Sequence, residues 1–107
     1  MRTYPQPKVD DIDLSRVLFA LSDPTRLAIV LELRQAGELV VGEQLSGAVP
    51  KSTLSHHNRI LRESGLTSTR PDGTRCYVSL RERDMEQRFP GMLEMLLAYS
   101  TVAHGPR

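Results

Sequence analysis

Between Lys51 and Arg62 the chain reads Lys-Ser-Thr-Leu-Ser-His-His-Asn-Arg-Ile-Leu-Arg, a run of hydroxyls, imidazoles and guanidiniums without an acid. On a helix turning about 100° per residue it separates into two faces. Leu54, His57, Asn58 and Leu61 gather on one, with Thr53 and Ile60 at its edge. Ser52, Ser55, His56, Arg59 and Arg62 gather on the other. Hydroxyls near the start approach a surface closely, and arginines further along reach deeper, so the second face offers hydrogen bonds of graded length. Phosphate oxygens and base edges are the partners such a face suits. The positive end of the helix dipole favours phosphate at the same place, beside Lys51 and Thr53. A solvated polar face has the same pattern, so the neighbouring elements must decide.

Upstream, Leu14, Val17, Leu18 and Leu21 recur at helical spacing and predict a first helix from Asp13 to about Ser22. Asp23-Pro24 supplies a capping acid and a proline at the first helical position, which opens a second helix ending at Gly37. Its dense apolar set, Leu27, Ile29, Val30, Leu31 and Leu33, makes it central to the core. Glu38 to Val41 reads as a brief strand that pairs with a later hairpin, and Gly42 to Ser46 as one or two helical turns. The polar-faced helix follows and stops at Gly65. From Thr67 the period becomes two, and Pro71-Asp72-Gly73 carries turn chemistry between two strands ending near Leu80. Arg70 and Arg75 flank the tip. A short helix from Glu82 to Phe89 and a last helix after Pro90 close the chain; the apolar arc of the last one is too wide for a surface helix.

This order is a mainly α chain with a small β-hairpin: a winged helix-turn-helix, with a recognition helix at about 51–64 and a wing at about 67–80. Residues 13–101 form the domain, with a flexible N-terminal arm at 1–12, where Pro5 and Pro7 sit among polar residues, and a flexible tail at 102–107. The whole is 107 residues, enough for one domain. Net charge is only +1. Yet Lys51 to Arg83 holds seven basic residues against three acids, so one half is basic and the other acidic, as a protein with one phosphate-facing side requires. No apolar run is long enough to span a membrane and no secretory signal opens the chain, which places it in the cytoplasm. The single Cys76 excludes an internal disulfide and suits a reducing compartment.

Leu21-Ser22-Asp23-Pro24-Thr25-Arg26-Leu27, Ser52-Thr53-Leu54-Ser55-His56-His57, Ile60-Leu61-Arg62-Glu63-Ser64-Gly65-Leu66 and Gly73-Thr74-Arg75 before Tyr77-Val78 together resemble the ArsR/SmtB family of winged-helix repressors, over roughly Leu18 to Tyr99. The resemblance implies a sequence-specific regulator, a repressor of transcription, that binds double-stranded DNA as a homodimer. The first and last helices build the dimer, two recognition helices enter successive major grooves, and a small-molecule effector of unspecified chemistry releases the DNA. Leu14, Val17, Leu18, Met92, Leu96 and Tyr99 are the expected dimer contacts, the last three exposed on a lone monomer; Lys51, Ser52, Thr53, Ser55, His56, Arg59, Arg62, Arg70 and Arg75 are the expected DNA contacts. Asn58 departs from the family's usual apolar residue, and the Val41 to Pro50 stretch is about one residue shorter than the commoner form, so its helix is abbreviated.

Metal-sensing members carry Cys-Val-Cys where this chain has Val40, Val41 and Gly42, and thiolates are what soft metals require. A second family site on the closing helix is matched by Asp84 and Glu86 but not by Leu97 and Ser100. No metal and no cofactor are therefore expected. His56 and His57 are adjacent and point to different sides, His57 toward the core and His56 toward DNA, while His104 falls in the tail. Catalysis is not expected either: phosphate loop, nucleophile elbow and paired carboxylates are missing from the sequence. Two alternatives stand beside the DNA reading. One is a winged-helix protein-interaction module, whose binding is indifferent to salt; the other is a redox-responsive regulator using Cys76, its thiol activated by Arg75.

Overall fold

The computed structural model describes residues 4–103. Helices α1 (Leu14–Leu21), α2 (Pro24–Ala36) and α3 (Lys51–Ser64) are followed by a hairpin and then by α4 (Glu82–Arg88) and α5 (Met92–Ala103). Strand β1 (Glu38–Val40) lies between α2 and α3, and β2 (Thr67–Asp72) and β3 (Arg75–Leu80) form the hairpin. The sheet runs β1-β3-β2, antiparallel throughout, with Leu39 opposite Val78 and Thr69 opposite the same residue on the other side. The short strand after α2 thus pairs with the wing as its sequence indicates.

Local chemistry sets the element ends. The Asp23 carboxylate accepts the backbone N–H groups of Thr25 and Arg26 at 2.9 and 3.0 Å, capping α2 behind Pro24. Gly73, with φ of +63°, takes the first central position of the two-residue hairpin turn, where L side chains are strained. Pro71 lies within β2, paired with Cys76, and not in the turn itself; β2 is an edge strand, where a missing N–H is tolerated. Ile29, Val30 and Leu33 of α2 are fully buried and meet Leu54 and Leu61 of α3, Val78 of the wing and Met85 of α4 in one core.

The expected short helix between β1 and α3 is a single 3-10 turn, Gln44–Gly47. Leu45 there has φ of +56°, a left-handed conformation costing a non-glycine residue roughly 1–2 kcal/mol. Glu32 of α2 offsets this by accepting the Leu45 N–H with both carboxylate oxygens, at 3.0 and 3.1 Å.

The N-terminal arm differs from the frayed segment expected of Pro5 and Pro7. Gln6 bonds both backbone groups of Thr69, its Oε1 accepting from the N–H at 3.2 Å and its Nε2 donating to the carbonyl at 3.4 Å. One carboxamide therefore does for the edge of β2 what another strand would do. Arg81 donates to the Pro7 carbonyl at 2.8 Å and Arg88 to the Ile12 carbonyl at 2.6 Å. A 3-10 turn at Val9–Asp11 leads to Ile12, which is 1% exposed and belongs to the core. At the other end α5 continues to Ala103; His104 and the rest of the expected tail lie outside the described residues.

Candidate nucleic-acid interface

Three anchorages hold α3 by its inner side. Leu54 and Leu61 pack into the core. His57, 8% exposed, meets Arg26 of α2: the guanidinium Nη1 donates to its Nδ1 at 3.2 Å. Since a guanidinium only donates, the His57 proton resides on Nε2 and the ring is neutral. Arg26 is itself 5% exposed, and its Nε and Nη2 donate to the Ala20 and Phe19 carbonyls at 2.7 and 3.3 Å. This one side chain therefore ties the end of α1 to α2 and α3. Asp23 approaches the same imidazole at 3.9 Å, but the contact stays uncharged while His57 is neutral. Burial pushes the His57 pKa down, with Asp23 opposing. The Asp23 carboxyl is held below the ordinary range, first by the Arg26 backbone N–H.

Asn58 supplies the third anchorage. Its carboxamide makes the core locally polar by pairing reciprocally with Gln44, Nδ2 donating to Oε1 at 2.8 Å and Oδ1 accepting from Nε2 at 3.0 Å. Gln44 is 0% exposed. The amide pair fixes the 3-10 turn against α3, the junction that sets the angle within a helix-turn-helix. Asn58→Leu is expected to cost about 1–3 kcal/mol because Gln44 is left buried with unmade bonds. Adding Gln44→Leu should recover part of that loss; a double variant whose urea midpoint shows simple additivity would deny the coupling.

With the inner side so held, Lys51, Ser52, Thr53, Ser55, His56 and Arg59 stand exposed on the outer side. Arg59 is joined to Glu63 at 3.2 Å, yet both groups are solvent-exposed, and such a pair contributes little and opens cheaply. Arg62 departs from expectation. It is only half-buried, its guanidinium lies 5.2 Å from the centre of the Tyr4 ring, and its Nε is enclosed. The docked arm has drawn this arginine away from the exposed set. On the wing, Arg70 stacks 4.6 Å from the Tyr77 ring and pairs with Glu38 at 3.0 Å and Asp72 at 3.9 Å. Arg75 is exposed and makes no ion pair among the described residues.

Comparison with known proteins then decides the class. A helix-turn-helix domain model matches residues 21–70, from the end of α1 through α3 into the wing. The uncharacterized HTH-type transcriptional regulator YceK of Bacillus subtilis is 43% identical over 91 residues, which are 81% of this chain and 89% of that one. The arsenical resistance operon repressor of Staphylococcus xylosus is 41% identical over 75 residues, covering 69% of this chain and 71% of its own. The crystal structure of the transcriptional repressor BigR from Xylella fastidiosa matches with a TM-score of 0.66 at 29% identity, over 88% of either chain. The chain belongs to the ArsR family of helix-turn-helix transcriptional regulators. It is a DNA-binding regulator and not an enzyme.

For an ArsR-family protein the Asp-Pro-Thr-Arg run acquires a physical meaning here: it is a helix cap plus the buried arginine that ties three helices together. Among the described residues, no three of His, Cys, Asp and Glu come together as metal ligands would, and no helix is long and apolar enough to cross a membrane. Cys76 is half-buried, its Sγ 2.9 Å from the Tyr4 hydroxyl. Of the expected dimer residues, Val17 is 0% exposed inside the core and has nothing left to offer a second copy. Met92 and Leu96 are partly covered by packing on the core, contrary to the exposure expected of them. Leu14, Leu18 and Tyr99 are exposed, and so are two residues overlooked in the sequence, Phe19 at 61% and Met95 at 53%. Periodicity gave the apolar arc of each helix but not which part of it faces the chain's own core.

Proposed function

We propose that this regulator represses transcription by binding a specific duplex operator as a homodimer, reading bases with Ser52, Ser55, His56 and Arg59 and holding phosphates with Lys51, Thr53, Arg75 and Arg70. One observation carries the reading: the outer face of α3 from Lys51 to Arg59 is exposed and bears no acid before Glu63, while its reverse is locked by Leu54, Leu61, the Arg26–His57 bond and the Gln44–Asn58 pair. A rigid, polar, cationic ridge is what a major groove accepts. The repressors among its relatives support the direction of the effect. Their arsenical and cadmium associations do not transfer through thiolate chemistry, because Val40, Val41 and Gly42 stand where Cys-Val-Cys would be. A cytoplasmic setting belongs with this reading, as does release by an effector.

Arg59→Ala is expected to weaken operator binding by about 1–3 kcal/mol while barely altering binding to unrelated duplex. Arg75→Ala should weaken both alike and flatten the salt dependence by about one unit of slope. Arg70→Ala should do less, since Glu38 and Asp72 already share its charge. Fluorescence anisotropy across a salt series measures all three; Arg59→Ala binding the operator like wild type would remove α3 from the base contacts.

The dimer is read from Leu14, Leu18 and Phe19 on α1 with Met95 and Tyr99 on α5, large apolar side chains left in water. Sedimentation at micromolar concentration is expected to show a dimer that Leu18→Asp converts to monomer. A wild-type monomer at that concentration refutes this part of the proposal.

A further inference from the structure

A recess of about 150 Å³ lies between α3 and the wing, and its walls have a distinct chemistry. Ser55, Asn58 and Arg62 line it from α3, Thr69 and Cys76 from the two wing strands, and Tyr4 from the arm. Arg62 is a fixed positive charge, and its Nε is enclosed with no acceptor among the described residues. An N–H so enclosed is out of a ligand's reach, so it is the rest of the half-buried guanidinium that can face the recess, which no carboxylate of the described residues lines. Val41 adds an apolar patch to the same wall. A cavity of about 150 Å³ is large enough for a benzene-sized molecule.

From the Arg62 cation, a lining without carboxylates among the described residues and this size, we propose that the recess is a binding site for a small monocarboxylate. The carboxylate accepts from Arg62, and its hydrocarbon part lies toward Val41. Tyr4 closes the recess over the ligand: its ring underlies the Arg62 guanidinium and its hydroxyl meets the Cys76 thiol at 2.9 Å. Ser55 belongs both to this wall and to the exposed face of α3, and Thr69 and Cys76 belong to the wing. Occupancy therefore acts on the relative placement of recognition helix and wing. That consequence rests on the DNA-binding reading; the binding itself does not.

The test uses benzoate as probe, benzamide as its uncharged analogue and sulfate as an inorganic anion, each titrated into the full chain and followed by the arginine Nε–H resonances in a proton–nitrogen correlation spectrum. The Arg62 signal, assigned by its loss in Arg62→Gln, is expected to move saturably with benzoate and not with benzamide. No saturable movement with benzoate overturns the site, and equal movement with benzamide overturns the carboxylate class. Movement with sulfate alone reduces it to an inorganic-anion site and overturns the proposal as stated. Operator affinity is then measured with benzoate saturating: a change of at least severalfold is expected, and none overturns the coupling alone. Failure of the chain to bind any duplex would instead remove the functional reading, leaving the resonance shifts to stand or fall on their own.

Discussion

Arg26→Ala should destabilise the protein by at least about 3 kcal/mol, a large part of the roughly 5–15 kcal/mol that holds a domain together. The reason is the number of groups it strands. The Ala20 carbonyl and the His57 ring nitrogen lose their donor, at about 1–3 kcal/mol for each acceptor left buried, while the Phe19 carbonyl keeps the Ser22 N–H and hydroxyl. Arg26→Lys should rescue little, because an ammonium on a flexible stem cannot meet three acceptors held in a planar fork. Arg26→Met, which keeps the stem, separates lost packing from lost bonds. Urea unfolding distinguishes these cases; an Arg26→Ala midpoint near that of wild type would mean that the Arg26 hydrogen bonds contribute nothing and that Leu54, Leu61 and the Gln44–Asn58 pair hold α3 without them.

The same contact gives the stability a pH dependence. His57 is neutral in the folded chain with its pKa lowered by burial, so the unfolded chain takes up a proton there before the folded one does. Stability is thus complete above the ordinary histidine value of about 6.5 and declines as pH falls through the lower folded-state value. Asp23, also lowered, adds a loss of the same sign at more acid pH, below the ordinary carboxylate value. The acid form of His57 would carry a proton on the nitrogen that faces Arg26, so the first losses should appear as disorder around α3. His57→Gln should blunt the pH dependence of unfolding between neutral and mildly acid pH; an undiminished slope would assign it to other groups.

Gly65→Ala is the second large expected effect. Gly65 ends α3 with φ of +94°, and a Cβ there would lie 2.6 Å from Ile12 Cγ1 and 2.9 Å from Cδ1. The left-handed conformation costs an alanine roughly 1–2 kcal/mol, and overpacking against a buried side chain adds about 1–3 kcal/mol. Relief by displacement of Ile12 would pull on the arm that precedes it, where Pro7 also approaches to 3.3 Å. Gly65→Ala should therefore cost distinctly less in an Ile12→Ala background than in wild type. Equal costs in both would leave backbone conformation as the sole cause.

What could be read from the sequence and what could not divide along physical lines. Asp23-Pro24 and Gly65 act through their immediate neighbours, so the bounds of α2 and α3 were visible in the residues themselves. The two faces of α3 were visible for a related reason, since helical spacing sorts them without knowledge of the rest of the chain. Gln6 bonding to Thr69, Tyr4 drawing in Arg62 and Gln44 pairing with Asn58 are different, because each joins residues in separate elements by polar contacts that leave no period behind. Proline near a terminus suggested a loose arm, and the edge of β2 overrode that local preference by offering unpaired backbone groups. Val17 and Leu18 show the same limit within one turn of helix: adjacent apolar residues of similar size, one at 0% exposure and the other at 45%. The residues expected at DNA were placed by α3 and the wing alone, which is why Arg62, reached by the arm, was the one to leave the exposed set.

The outer face of α3 as the reader of a duplex is tested most directly by selecting bound fragments from a pool of random DNA. Enrichment of two similar half-sites in inverted orientation is expected, their centres separated by one helical turn of about 34 Å or a multiple of it, with the preference lost in Arg59→Ala. A pool that remains random after repeated rounds, while the protein stays folded, would contradict it.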